Sequence, residues 1–215
     1  MKARKLISIL TVAISMAGCA SHPQITSPVV ERANSENWNG KVFSYEIFYS
    51  QPKPGVFSGG QQQELAPISK AQLSVGAAQV LSNFTTIVDN ILPSNTTITK
   101  AGDSDYSLKV ALIANDKKGP TYSEYELGKS LAKGLLTLGL GSAEFNIVAD
   151  FSIEYTLSNK HGNEFSKKYT INESIDNEKG SFEIHDRNAD YAAELLKKNI
   201  IVTASSFFSE AKSKL

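Results

Sequence analysis

The stretch "FNIVADFSIEYTL", from Phe145 to Leu157, carries an apolar residue at every second position. The residues between them are mainly Asn, Asp, Ser, Glu and Thr. Side chains alternate between the two faces of a β-strand, so this period predicts a strand with one buried and one solvated face. "SNKHGN" then predicts a hairpin loop. The returning strand is expected to bury Phe165, Tyr169, Ile171 and Ile175. A one-residue slip would turn this apolar set toward water, so the register should be firm.

Two further strands are predicted upstream by the same alternation. Val42–Ser50 and Tyr106–Ala114 each place their apolar residues on one face, and "TTITK" allows a short strand between them. The apolar faces consist of Phe43, Tyr45, Ile47 and Tyr49 in the first strand, and of Tyr106, Leu108, Val110, Leu112 and Ala114 in the second.

Apolar residues spaced by three and four predict two long helices. The first is expected to run from an N-cap at Ser69 to Leu92, before Pro93. The second is expected from Asn188 to Lys214, capped by Asp186. Its stripe comprises Ala189, Ala193, Leu196, Ile200, Ala204, Phe207, Phe208 and Ala211. The order of elements predicts an α+β domain: a largely antiparallel sheet of about four to five strands, with two long helices on one face.

The N-terminal residues have the three parts of an export signal. Lys2, Arg4 and Lys5 give a positive start, an apolar run covers residues 6–17, and small residues precede Cys19. About a dozen apolar residues span roughly 18 Å as a helix, whereas a hydrocarbon core is about 30 Å thick. We therefore interpret residues 1–18 as a cleaved signal peptide.

Ala17 and Gly18 followed by Cys19 resemble the lipobox of bacterial lipoproteins. In that family the cysteine sulfur receives a diacylglycerol, the signal is cut, and the new amine is acylated. Met16 replaces the usual leucine and keeps the position apolar. The resemblance implies a lipidated Cys19, and Ala20 in place of aspartate implies sorting to the outer membrane. The alternative is an ordinary secreted protein with a cysteine near its cleavage site.

Charge and cysteine content constrain what the rest of the chain can do. The signal contains three of the 22 basic residues and none of the 22 acidic ones, so 19 basic and 22 acidic residues remain. This mild acidity is unlike a nucleic-acid-binding protein. Because Cys19 is the only cysteine, stability must come from a packed core. We expect residues 19–40 to form a lipidated flexible tether, and residues 41–215 a single domain.

Gly128, Lys129 and Ser130 repeat the end of a phosphate-binding P-loop, but the rest of that motif is missing. The first glycine should stand at position 123, which is Ser123, and Glu124 and Glu126 would repel a phosphate. No buried strand is expected directly before the segment. A nucleotide site is therefore not predicted.

The leucines of the same segment allow two interpretations. They fall at i, i+4, i+8 and i+11, on one stripe of a helix too short to span a bilayer. Either this helix is a crossover whose leucines complete the core, or it is an amphipathic flap that docks on a membrane or a partner. In the flap, lysines would face anionic headgroups or carboxylates. The candidate contact residues are Leu127, Lys129, Leu131, Lys133, Leu135 and Leu138.

No catalytic constellation is recognisable. His22, His161 and His185 are scattered, and the chain lacks zinc-binding spacing and a nucleophile elbow. Asp103 and Asp105 lack the further ligands of a calcium loop. We therefore expect neither a cofactor nor a metal, and no enzymatic activity.

The order of elements around "DYSLKVAL" and the terminal helix is similar to that of small envelope-assembly lipoproteins, such as the lipopolysaccharide-assembly lipoprotein. The resemblance implies a non-enzymatic lipoprotein that is anchored in the outer membrane, faces the periplasm, and acts in envelope assembly or as an accessory protein through contacts with an envelope protein. Two alternatives remain open: a binder of a lipid or small apolar ligand between helices and sheet, and an envelope hydrolase with a dispersed site.

Overall fold

The computed structural model of the chain describes residues 22–55, 60–100, 102–136, 142–179 and 187–215. Within them the strands are β1 (Val42–Ser50), β2 (Ala66–Pro67), β3 (Thr97–Thr99), β4 (Tyr106–Ala114), β5 (Thr121–Tyr125), β6 (Ala143–Asn159) and β7 (Glu164–Lys179). The helices are α1 (Val75–Ser82), α2 (Phe84–Ile91), α3 (Leu127–Leu136) and α4 (Asn188–Ala211).

The alternating stretch forms the central strand, as the sequence predicts. Every second side chain of β6 from Ile147 to Leu157 is fully buried, whereas Phe145 is only half-buried. On the opposite face Lys109 is exposed, and Asp150 and Glu154 are half-buried. The period of two therefore separates the core from the solvated face.

The β6–β7 hairpin has the predicted register. Leu157 pairs with Phe165, Ile153 with Tyr169, and Phe151 with Ile171. The side chain of Asn159 accepts hydrogen bonds from the backbone N–H groups of His161 and Asn163, both at 3.0 Å. Gly162 has a φ of 84°, which a residue with a side chain rarely adopts.

The sheet is larger than the predicted four to five strands. Its seven strands are arranged β2-β1-β4-β6-β5, with β3 beside β1 and β7 beside β6. β1 runs parallel to β3 and β4, and the other pairs are antiparallel. β7 occupies one edge of β6, so β4 and β5 share the other. The additional strands, β2 and β5, are short and mostly half-buried or exposed, and they lack the alternation that identifies the others.

The predicted single helix from Ser69 to Leu92 is wrong. Ser69 lies in a 3₁₀ turn, and the N-cap is Ser74, whose Oγ accepts from the N–H of Ala77 at 3.3 Å. Asn83 separates α1 from α2 with a φ of −91° and a ψ of 10°, and its side chain donates to the carbonyl of Gln79. The break allows both short helices to pack against α4. The approach is so close at Gly76 that a Cβ atom added there would lie only 3.0 Å from Cβ of Ala193.

The terminal helix lies across β5, β6 and β7 on the apolar face. It ends at Ala211 rather than Lys214, and its N-cap position is Arg187. The predicted cap, Asp186, falls outside the described residues. Ala189 is exposed, contrary to expectation, whereas the stripe from Leu196 to Ala211 is buried. One long helix and two short ones therefore cover this face, instead of two long helices.

Much of the segment predicted as a flexible tether packs along the domain. His22 stacks on Tyr191 near the start of α4, with ring centroids 6.2 Å apart. Further along, Nη1 of Arg32 donates to the carbonyls of Asp89 and Leu92 at the end of α2. Trp38 is fully buried and contacts Phe43, Tyr106 and Phe208 edge-on. Residues 22–38 thus form a strap from one end of the domain to the other.

Candidate functional site

The leucine stripe of α3 faces solvent. Leu127, Leu131 and Leu135 are 59%, 58% and 81% exposed, and Tyr125, just before the helix, is 49% exposed. Large apolar side chains scattered singly over a surface are ordinary, but three on one stripe of one helix form a continuous apolar face. We call Leu127, Leu131 and Leu135 the leucine face.

Polar contacts hold the other side of α3 against the start of β6. Oγ of the buried Ser130 accepts a hydrogen bond from the N–H of Glu144 at 2.9 Å. One residue before the helix, the N–H of Glu126 donates to the carbonyl of Glu144, also at 2.9 Å. The rings of Tyr125 and Phe145 lie 5.3 Å apart. The attachment therefore leaves the leucine face outward.

Lys129 joins α3 to the edge strand. Its Nζ lies 3.1 Å from Oδ1 of Asp176 in β7, and both side chains are more than half exposed. The hydrogen bond to Asp176 raises the pKa of Lys129, so this lysine stays protonated at neutral pH. The carboxylate of Asp176 thus balances the charge of Lys129, and the pair ties α3 to β7.

These positions contradict the interpretation of α3 as a crossover whose leucines complete the core. The core cluster contains none of the three leucines of the leucine face. The amphipathic flap is the interpretation that their exposure favours. Leu138 and the side chain of Lys133 lie outside the described residues, as does Cys19, so the expectations for those residues stay predictions.

The P-loop remnant is part of the same helix. Gly128, Lys129 and Ser130 are helical, and Ser130 and Lys129 make the contacts given above. As expected, no buried strand directly precedes the segment in this described part of the chain: β5, which ends at Tyr125, is a half-exposed edge strand. β5 is paired with Phe145–Ala149 of β6, and of its residues Thr121 alone is buried.

A groove of about 760 Å³ lies between α1 and α2 on one side and α4 on the other. The strap closes one rim, with Pro28, Val30 and Arg32. Its charged lining residues are Arg32, Arg187, Asp190, Glu194 and Lys197, and its apolar ones include Val80, Ile87 and Ile201. The interface between helices and sheet is filled by the fully buried rings of Phe151, Tyr155 and Phe207. A small ligand would therefore bind in the groove between the helices, and not between helices and sheet as the sequence alternative had it.

The hairpin end of the domain is closed by ion pairs. Asp105 accepts from Nζ of Lys160 at 2.9 Å and from the N–H of Val42 at 3.1 Å, and Lys41 lies 3.9 Å away. The hydrogen bond from Lys160 is the main cause that lowers the pKa of Asp105. This cluster ties the start of β1 to the hairpin loop, and we assign it a structural role.

Within the described ranges, no group of three or more His, Cys, Asp or Glu side chains is arranged to hold a metal ion. In the same part of the chain, no helix combines the length and apolarity needed to cross a bilayer. His185 falls outside these ranges. His22 and His161 lie at opposite ends of the domain, beside Tyr191 and in the hairpin loop.

No protein-family model matches the chain, and no curated protein matches it either. Among solved structures, it is similar to a neuraminyllactose-binding hemagglutinin homolog from Helicobacter pylori, with 8% identity, a TM-score of 0.45, and coverage of 89% of this chain and 96% of that one. A minor lipoprotein from Acinetobacter baumannii is 11% identical at a TM-score of 0.38, over 80% of this chain and 92% of that one. A Xanthomonas campestris protein of the DUF330 family is 12% identical, with a TM-score of 0.35 and coverage of 90% of this chain and 100% of that one. Because all three TM-scores lie below 0.5, these similarities support no functional assignment.

Sequence reasoning missed the strap and the groove. The strap has no period, because its contacts are made one residue at a time by Arg32, Ala33 and Trp38. Trp38, a lone large aromatic residue in this otherwise polar segment, is the one signal in the sequence that indicates packing on the domain, and it is fully buried. The groove arises from the break at Asn83, for which the sequence holds no strong marker, since the apolar spacing continues through it.

Proposed function

We propose that this chain is an outer-membrane lipoprotein, anchored through Cys19 and facing the periplasm, that acts without catalysis as an envelope-assembly or accessory protein. The support for the anchor is the order of the N-terminal elements: three basic residues, a short apolar run, Ala17-Gly18 and the only cysteine of the chain. Two or more acyl chains make such anchoring stable, because each buried methylene contributes about 0.8 kcal/mol.

The exposed leucine face of α3 is the single observation that carries the proposed mode of action. Burying it against another envelope component would remove three leucine side chains from water without disturbing the contacts of Ser130 and Lys129. An assembly or accessory protein works through such contacts rather than through a reaction site.

The anchor is tested with Cys19→Ser in cells fed a labelled fatty acid. We expect the variant to lose the label and to leave the membrane fraction, whereas the wild-type chain keeps both. Labelled fatty acid on the variant would contradict the assignment of Cys19.

The contact face is tested with the double variant Leu131→Asp, Leu135→Asp. The matched control is Val202→Asp on the outer side of α4, where the valine is 44% exposed. We expect both proteins to keep their circular dichroism, and only the α3 variant to lose its cross-links to other envelope components, lipid or protein, in intact envelopes. Unfolding of the α3 variant alone would show that the leucines belong to the core.

A second candidate function is binding of a small amphiphile in the groove between the helices. Its lining combines apolar residues with both basic and acidic side chains, Arg32, Arg187, Lys197, Asp190 and Glu194, which suits an amphiphile with a polar headgroup and an apolar chain. Native mass spectrometry of the purified protein would reveal a co-purified ligand. Thr86→Trp, which narrows the groove from an exposed position, should abolish it.

A further inference from the structure

We propose that the leucine face docks on the membrane that holds Cys19, so that α3 is a second, shallow membrane contact beside the lipid anchor. This inference rests on the proposed acylation of Cys19 and names the component that the leucine face contacts. It follows from where the described chain begins, from the position of α3 on the sheet, and from the chemistry of the helix.

The first step is the reach of the chain. Two residues, Ala20 and Ser21, lie between Cys19 and His22, so three residue steps of at most about 3.6 Å each span roughly 11 Å. His22 is located by its stacking on Tyr191 and by the 3.5 Å between its Nδ1 and Oδ1 of Asn177. Acyl chains on Cys19 therefore enter the bilayer close to the end of β7 that carries Asn177.

The second step is a row of paired residues across the sheet. Asn177 of β7 pairs with Phe145 of β6, which in turn pairs with Tyr125 of β5. Neighbouring strands are about 4.8 Å apart, so Tyr125 lies about 10 Å from Asn177 along this row. Leu127 follows two residues later, and Lys129 reaches back to Asp176, the neighbour of Asn177. The leucine face and the anchor thus share one end of the domain.

The third step is the composition of the helix. The sequence of α3, "LGKSLAKGLL", contains two lysines and no acidic residue. Its ten residues would extend about 15 Å, half the thickness of a hydrocarbon core, so the helix can lie in the interface but cannot span it. A short helix with an exposed apolar side formed by Leu127, Leu131 and Leu135 is suited to lie in the plane of a membrane interface.

A protein partner fits these observations less well. It would have to bind a leucine face that the anchor already holds next to the bilayer, in competition with lipid at very high local concentration. Contact with the membrane instead requires no further component. It would also set the orientation of the domain, with the hairpin loop at Gly162 directed away from the membrane.

The experiment uses the acylated full chain with one added cysteine. Because Cys19 is the only cysteine and is acylated, Leu131→Cys supplies a single thiol for an environment-sensitive fluorophore. His161→Cys, in the hairpin loop at the opposite end, is the matched control. Each labelled protein is reconstituted into vesicles of phosphatidylethanolamine and phosphatidylglycerol and recovered by flotation. Two quenchers are compared: aqueous iodide and doxyl-labelled phospholipid.

If α3 lies on the membrane, the probe at position 131 is quenched by doxyl lipid and its iodide quenching constant is several-fold lower than that of the probe at position 161. Leu135→Cys should behave like Leu131→Cys, and near-ultraviolet circular dichroism checks that each variant is folded. Equal iodide quenching at positions 131 and 161 on floated protein overturns this inference and leaves the anchor intact.

Two other results also overturn the inference, for different reasons. Shielding of position 131 that appears only when envelope proteins are added to the vesicles identifies a protein as the partner. Failure of the wild-type chain to float shows that the anchor itself is absent, and the proposed function then fails together with the inference.

Discussion

Helices α3 and α4 carry the same kind of apolar stripe and place it in opposite environments. In α4, Leu196, Ile200 and Ala204 are fully buried, whereas the leucines of α3 are more than half exposed. The difference lies in the connections and not in the spacing. α3 starts two residues after the edge strand β5 ends, and α4 already covers the apolar face above β5 and β6. A helical period therefore predicts a one-sided helix, but not what covers that side.

The comparison is tested most strongly by removing the same atoms from each helix. Leu196→Ala should lower the free energy of unfolding by about 2–5 kcal/mol, because it deletes buried methyl groups and leaves a cavity. Leu131→Ala should change it by no more than about 0.5 kcal/mol, since the leucine is exposed and alanine favours a helix. Urea denaturation followed by circular dichroism measures both.

A loss in Leu131→Ala comparable to that in Leu196→Ala would remove the contrast between the helices. It would return α3 to the core and undermine both proposals for its surface. Val202→Ala on the solvent side of α4 serves as the control, because it shares the helix of Leu196 but is 44% exposed.

The parts of the fold that the sequence predicts are those in which one strand or helix identifies its own buried side. β1, β4, β6 and β7 follow from alternation alone, and α4 follows from its spacing over 24 residues. The break at Asn83 does not, because apolar residues recur through it, and tertiary packing against α4 decides where the helix bends. β5 cannot be predicted from the sequence for the opposite reason: it is short and polar, and only its pairing with β6 makes it a strand.

The candidate site was predictable as a segment but not as a surface. The residues from Leu127 to Leu135 can be identified as an amphipathic helix, yet the choice between core and surface depends on the length of the link at Glu126 and on the position of α4. The proximity of α3 to the anchor depends on His22 and Asn177, which are 155 residues apart in the chain. No local pattern encodes a contact of that separation.

A smaller effect is expected from the polar contact that fixes α4 in the core. The hydroxyl of Tyr155 lies 2.9 Å from Oγ1 of Thr203, which itself donates to the carbonyl of Asn199 at 2.8 Å. Burial raises the pKa of Tyr155 well above its usual range, so the phenol stays protonated and donates. Tyr155→Phe should cost about 1 kcal/mol, since the ring remains and Thr203 keeps its other partner. A loss as large as that in Leu196→Ala would contradict this account.

The smallest expected effects come from two ion pairs that join the helices to β7. Lys198 of α4 and Asn199 donate to Glu173 at 2.6 and 3.0 Å, in a partly buried site. Lys129 of α3 reaches Asp176 in an exposed one. Glu173→Gln should lower the free energy of unfolding by less than about 1 kcal/mol after allowance for solvent screening, and Asp176→Asn should leave it unchanged within error.

The contribution of the Glu173 pair should also depend on pH. Burial acts to raise the pKa of Glu173, but the hydrogen bonds from Lys198 and Asn199 outweigh it and hold the pKa below its ordinary value of 4.5. A carboxyl whose pKa is lowered by folding stabilises the protein above the pKa of the unfolded chain, and this contribution is lost as the pH falls through the folded-state pKa. The difference between wild type and Glu173→Gln should therefore be present at pH 7 and shrink below about pH 4.5. At pH 7, a loss of stability in Asp176→Asn as large as that in Glu173→Gln would show that α3 is held to the domain as firmly as α4, and a helix fixed in that way has less freedom to adjust its leucine face to a membrane.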